Sequence, residues 1–274
     1  MVKMRVKLII RYPDGRVKTR VIGSNDVKGN WKSFLLTGVS GGTLNCARKI
    51  MIRDSAQGWS DTETGTRKSG TGDGLGPTFV KVTTHTNPSP IITYSIDKVH
   101  LYDATLKEMA VATISPAESF PPGAEISVEY EGEFIDKSDV THPAVATNYI
   151  LYELARAFGQ DLDSETLGCG QFDGGTIKLY YDQGGAQTPI EKTCNLIEVV
   201  APGDTTNGMN IFKATGFYHV SHNAAVPTKV VLIPSDGNEA HAYAEQTTGL
   251  GGPFDLTAGT GITVTYKTEV TEGP

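Results

Sequence analysis

The sequence predicts a mainly β protein: two tandem antiparallel β-sandwich or barrel domains, each with at most one short helix, behind an N-terminal β-hairpin. Three observations lead there. Most of the chain falls into short runs in which apolar and polar residues alternate, the period of a half-buried strand. Its 274 residues include 31 glycines and 14 prolines, with 38% apolar and 20% charged residues, a turn-rich globular composition rather than that of a helical bundle. The last strand-like stretch, "FDLTAGTGITVTYKTE", also repeats the pattern of an earlier one, "SFPPGAEISVEYEGE". Placing Leu256 on Phe120 sets Gly259 on Gly123, Ile262 on Ile126, Val264 on Val128 and Tyr266 on Tyr130 without a gap.

The elements follow in order. "MRVKLIIRY" and "RVKTRVIG" are strand-like, and "PDG" between them supplies a turn. In the first, Val6, Leu8 and Ile10 share a face; in the second, Val17, Thr19 and Val21 oppose Arg16, Lys18 and Arg20. "GNWKSFLLTGVSGG" reads as a short helix or turn, and "CARKIMIRDSAQG" as a strand through Ile50 and Ile52. The Gly-rich, polar "GWSDTETGTRKSGTGDGLGPT" reads as a long exposed loop. "FVKVTTHT", "ITYSIDKVHLYD", "EMAVATI" and "AEISVEYEGEF" alternate as strands, and "IDKSDVTHP" reads as a linker.

A second series then repeats the order. "NYILYELARAFG", ended by Gly159, is the clearest helix and answers to "NWKSFLL". "TIKLYYDQGG" answers to "KIMIRDSAQG", "TKVVLIP" to "DKVHLYD", and "AHAYA" to "MAVAT". We read an internal duplication, with a hairpin at 1–25, a first β domain at 26–138 and a second at 139–274. In the closing strands Ile126, Val128, Ile262 and Val264 are expected to be buried, because polar residues alternate with them.

Charge is unevenly spread. The net charge is −7, yet residues 1–25 hold seven Lys or Arg and one Asp, leaving the remainder at −13. A basic segment on an acidic body suggests a contact between them, within or between chains. We expect the cations Arg5, Lys7, Arg11, Arg16, Lys18 and Arg20 to form an intersubunit arm. Nucleic acid is not an expected partner, since only Tyr12 is at hand for stacking and the body is acidic. Cys46, Cys169 and Cys194 make no C-x-x-C pair and read as buried apolar residues, one disulfide with a cysteine left over being the alternative. The first residues lack the apolar run of a signal peptide, and no apolar run reaches the roughly 18 residues of a membrane span. The expectation is a soluble chain made in the cytoplasm, with no membrane insertion.

Motifs for chemistry are weak. His219 and His222 are spaced as H-x-x-H within a strand-like run, where they would point to opposite faces. His85, His100, His142 and His241 are isolated, with His100 and His241 expected at the surface. Asp161, Asp163 and Glu165 alternate like part of a calcium loop, but Thr166 stands where the turn glycine is needed. Asp61, Glu63 and Asp73 are as loosely placed. Ser40 is not in a G-x-S-x-G frame, and Lys68 and Ser69 precede rather than follow the glycines of a phosphate loop. No catalytic, metal or cofactor residue is singled out, and no enzyme is expected.

One pattern resembles a recurrent module of tailed-phage and tailed-virus structural proteins. It rests on Asn148, Leu151, Leu154 and Ala155, on Lys229, Val230 and Leu232 before an A-x-A strand at Ala240 and Ala242, and on Gly259, Ile262, Val264 and Tyr266. The first half repeats it more loosely, with Thr37, Gly38 and Val39 in place of the alanine-rich part of the helix. The resemblance implies a β-rich assembly module, located in the virion and partnered by copies of itself and by other virion proteins. It transfers no catalytic residue. A carbohydrate- or receptor-binding surface protein is the first alternative, with Trp59 as its candidate surface aromatic. An extracellular filament or surface-layer subunit is the second, and a hydrolase on a β scaffold the third.

Overall fold

The computed structural model describes residues 1–23, 25–68, 76–138, 143–183, 186–200, 208–217, 226–253 and 262–271. The N-terminal hairpin is β1 (Val2–Arg11) and β2 (Val17–Ile22). The first half continues with β3 (Asp26–Val27), α1 (Gly29–Gly41), β4 (Thr43–Asn45), β5 (Lys49–Asp54), β6 (Trp59–Thr64), β7 (Thr66–Arg67), β8 (Thr78–Thr86), β9 (Tyr94–Tyr102), β10 (Glu108–Phe120) and β11 (Glu125–Phe134). The second half has β12 (Val145–Ala146), α2 (Asn148–Gly159), β13 (Ser164–Thr166), β14 (Thr176–Gln183), β15 (Ala186–Thr193), β16 (Asn195–Val200), β17 (Gly208–Phe217) and β18 (Val226–Ile233). A 3-10 turn (Glu239–His241), β19 (Ala244–Gln246) and β20 (Ile262–Val270) follow.

The protein is mainly β, with antiparallel pairing throughout the described residues. The first half forms two sheets, β2-β1-β11-β8-β7 and β3-β10-β9-β5-β6. The second forms β16-β17-β20 and β12-β19-β18-β14-β15. These are open rows of strands, so the barrel alternative gives way to sandwiched sheets. The orders agree term by term: β3, β10, β9, β5 and β6 stand as do β12, β19, β18, β14 and β15, and β11-β8-β7 stands as β20-β17-β16. Among the described residues the hairpin β1–β2 has no counterpart in the second half.

Inward residues make the sandwich. Along β11 every second residue is buried, and Ile126, Val128 and Tyr130 are fully so. They meet Val6, Leu8 and Ile10 of β1 and Ile50, Ile52, Ile96 and Leu101 of the facing sheet in one core. In the second half Tyr266 Oη crosses between sheets to donate to the Val230 carbonyl at 2.7 Å.

The helices are exchanged. α1 ends at Gly42, whose φ of 78° suits a left-handed cap. It packs on β10 of its own half and on β16 and β17 of the other. α2, capped by Thr147, packs on β8 and β11 of the first half. At the crossing Trp31 of α1, fully buried, meets Phe158 of α2 edge-on at 5.1 Å, and both meet Phe134 of β11. Backbone bonds reinforce the exchange in both directions. Ala47 N–H donates to Phe158 O at 3.1 Å, and Leu167 N–H to Gly42 O at 2.8 Å. The equivalent strands β4 and β13 pair with each other, Leu44 opposite Glu165. The buried core therefore runs across the 138/139 boundary as one cluster.

Several expectations are corrected. The supposed exposed loop after Gly58 contains strands β6 and β7, and two strands not among those expected, β15 and β16, lie between "TIKLYYDQGG" and "TKVVLIP". β6 is exposed at most positions, and β6, β15 and β16 are edge strands, which need no apolar alternation. The A-x-A segment at Ala240 and Ala242 lies in and beside the 3-10 turn, and β19 begins only at Ala244. Ile262 and Val264 are half-buried rather than buried. Gly123 has a φ of 72°, while its partner Gly259 lies outside the described residues.

This difference between matched strands is testable. Val128→Asp should cost about 4 kcal/mol or more, through lost burial and an unpaired buried carboxylate, whereas Val264→Asp should cost under about 2 kcal/mol. Denaturant unfolding of the two variants measures both; equal costs would show that the two strands are equally enclosed.

Candidate assembly surfaces

The hairpin is the first candidate, and its chemistry is resolved inside the chain. β1 is an interior strand between β2 and β11. Its outward cations lie directly opposite carboxylates of β11: Arg5 opposite Glu131, Lys7 opposite Glu129, Arg11 opposite Glu125. The ion pairs measure 2.6, 3.4 and 3.0 Å. Arg16 pairs with Asp14 at the turn, at 2.6 Å. Lys18 and Arg20 lie on the inner face of β2 but beyond the apolar core, and reach down to Glu118 of β10 at 2.6 and 2.7 Å. Arg20 also donates to the carbonyls of Ser115 and Pro116.

The six cations of the expected arm are thus all engaged within the chain. The basic segment and part of the acidic body are two sides of one sheet. Exposed pairs of this kind contribute only about 0.2–1 kcal/mol each, so Val6, Leu8 and Ile10 hold β1 in place and the charges favour this strand in this position.

Glu118 is the exception, because its side chain is only 2% exposed. Burial pushes its carboxyl up, but hydrogen bonds and charge from Arg20 and Lys18 outweigh burial and hold it below its ordinary value of 4.5. A carboxylate depressed on folding stabilises the fold above its unfolded pKa, and that contribution is lost as pH falls through the folded value. Glu118→Gln should cost about 1–3 kcal/mol at neutral pH. It should also flatten the loss of stability below pH 4.5 relative to the parent. Unfolding midpoints measured against pH in both proteins check this; identical slopes would show that Glu118 is not held ionised by the hairpin.

The second candidate is the outer edge of β20, which sequence reasoning missed. In the first half the corresponding edge, on β11, carries β1. In the second, β20 ends its sheet, and Val2 N–H at the start of β1 donates to the Thr271 carbonyl just beyond it at 2.9 Å. Beside this edge lies a groove of about 460 Å³, lined by Thr265–Thr271, by Met1, Val2 and Phe134–Ser138 of the first half, and by residues of both helices and of β19 and its neighbours, among them Leu35, Leu154 and Tyr243. The signal was present in the sequence as an asymmetry: a hairpin precedes the first module and none precedes the second.

Other singled-out residues have structural work. Trp59 is half-buried in β6 and stacks on Tyr94 at 4.0 Å, so it is not an exposed loop aromatic. His85 is buried, with Asp61 at 2.9 Å on one ring nitrogen and Thr83 at 3.0 Å on the other; burial, outweighing Asp61, lowers its pKa. His100, expected at the surface, is buried beside Glu108, and burial lowers its pKa too. His241 stacks on Tyr149 and pairs with Asp236. The three acids of the calcium-like stretch each meet a cation: Asp161 meets the buried Lys81 at 2.7 Å, Asp163 meets Arg48 at 3.3 Å and Glu165 meets Arg156 at 3.7 Å. Ser40 Oγ donates to the Thr37 carbonyl within α1. Cys46, Cys169 and Cys194 are buried and unbridged. His142, His219, His222, Ser69 and Asp73 lie outside the described residues.

No protein-family model, curated protein or solved structure matches this chain.

Proposed function

We propose that this protein is a non-enzymatic structural subunit of a virus particle, a component of the tail or of the virion surface, which assembles with copies of itself and with other virion proteins. The observation that carries the reading is the architecture: two halves with the same order of elements, interlocked by exchanged helices and bounded by unpaired strand edges. We infer an internal duplication from that order, together with the matched closing strands. A duplicated module multiplies contact surfaces on a rigid body, which suits a part that must be tiled.

The residues of the tailed-virus resemblance support the same reading. Leu154 and Ala155 are buried in α2, Val230 and Leu232 in β18, and Tyr266 in β20. They are packing positions, so what they carry is a module and not a reaction. Trp59, the candidate for glycan or receptor binding, is stacked within its own sandwich, which leaves that alternative without its aromatic.

Sedimentation and negative-stain electron microscopy of the purified chain test the proposal. Discrete multi-subunit rings, tubes or sheets are the expected products as concentration rises. A protein that stays monomeric at every accessible concentration would contradict self-assembly.

A further inference from the structure

The edge of β20 and its groove have the shape of an occupied site with its occupant removed. In the first half the corresponding edge carries an extended amphipathic strand. β1 presents Val2, Met4, Val6, Leu8 and Ile10 inward, all buried, and hydrogen-bonds along β11 from Val2 opposite Phe134 to Arg11 opposite Glu125. Under that cover Ile126 and Val128 are completely enclosed. On β20 their counterparts Ile262 and Val264 stay half-exposed, and further along the strand Thr265–Thr271 border the groove with Leu35, Ile150 and Leu154. An open strand edge offers unpaired N–H and C=O groups, and an apolar groove beside it adds side-chain pockets. This is the arrangement in which an added strand gains affinity from main-chain bonds and specificity from alternate side chains.

The same chain carries a strand suited to the site. β2 is the terminal strand of its sheet, with one edge unpaired among the described residues. Its Val17 and Val21 are 61% and 60% exposed, unusual for valines in a strand. Residues two apart share a face, so Val17, Thr19 and Val21 form one short exposed stripe. Lys18 and Arg20 point the other way and are held on Glu118 of their own body. A partner seated on the Val17–Val21 face would leave those two ion pairs untouched and would lie beside Arg11 and Lys7, which stand opposite Val17 and Val21 on β1 and pair with Glu125 and Glu129. It would also sit on the side of the sheet away from the donor's own sandwich, where the two bodies do not compete for space.

We infer that the β20 edge is a strand-acceptor site for β2 of a second copy of this chain, with Val17 and Val21 directed into the groove. This rests on the reading of the protein as a self-assembling subunit and names the contact through which it assembles. The two surfaces differ, so the contact is heterologous: each copy donates β2 and accepts on β20, and repetition closes into a ring or grows into a filament.

Hydrogen–deuterium exchange of the intact protein, followed with sedimentation over a concentration series, tests the site. Assembly should slow exchange in both Val17–Ile22 and Ile262–Val270. The double variant Val17→Glu/Val21→Glu, which alters only exposed side chains and sets carboxylates opposite Arg11 and Lys7, should keep the parent's unfolding midpoint while its association weakens by more than about tenfold. Assembly that leaves exchange in both strands unchanged, or a double variant that associates as the parent does, would overturn the strand site while leaving self-assembly standing. Should the parent not assemble, a synthetic peptide of residues 15–23 is the probe. Slowed exchange of β20 with the peptide would uphold the acceptor and the fall would be that of the assembly reading; unchanged exchange would overturn both.

Discussion

The crossing of the two helices is the constraint on which the rest of the fold depends. Each half makes a pair of sheets whose interior is not filled by its own helix alone. Trp31 on α1 and Phe158 on α2 close that space together, against Phe79 and Phe134 of the first half's sheet. Because α2 lies on β8 and β11, and α1 on β16 and β17, neither half can shed the other without exposing aromatic surface. Two polar anchors mark the same dependence. Lys81, fully buried on β8, donates to the Gln160 carbonyl at the end of α2 at 2.6 Å. Asn210, fully buried on β17, donates to the Leu36 carbonyl of α1 at 2.7 Å. A buried donor without its acceptor is costly, so both act as locks. Crowding at the joint is also severe: a Cβ on Gly38 of α1 would lie 2.4 Å from the Thr43 carbonyl oxygen.

The hairpin shows how a charge imbalance in sequence can be an internal device. The +6 of residues 1–25 faces Glu125, Glu129, Glu131 and Glu118 of the same chain. Beside its outward ion pairs the hairpin also exposes two apolar side chains, Val17 and Val21. Strand β1 covers the edge of β11, and among the described residues no strand covers the corresponding edge of β20.

Much of this was legible in the sequence where burial is one-sided. The alternation of Ile126, Val128 and Tyr130 and the apolar face of 148–159 marked real elements, because a core face imposes its period directly. Edge strands were not legible: Trp59–Thr64 and Ala186–Thr193 pair by backbone alone on one side, and their polar side chains resemble loop. His100 and Trp59 were misplaced because position in an alternating run does not reveal what the facing sheet covers. The exchange of helices was invisible for a deeper reason. An amphipathic helix declares that it has an apolar face, not which half of the chain will bury it. The candidate acceptor edge was legible only as a missing hairpin, and its groove depends on segments from the N-terminus to β20 meeting.

The central claim is that the two halves form one interlocked body, not two beads on a linker. Differential scanning calorimetry of the intact monomer tests this most directly. The account predicts a single unfolding transition whose calorimetric and van't Hoff enthalpies agree, as for one cooperative unit. Two resolved transitions, one of them reproduced by residues 139–274 alone, would contradict it.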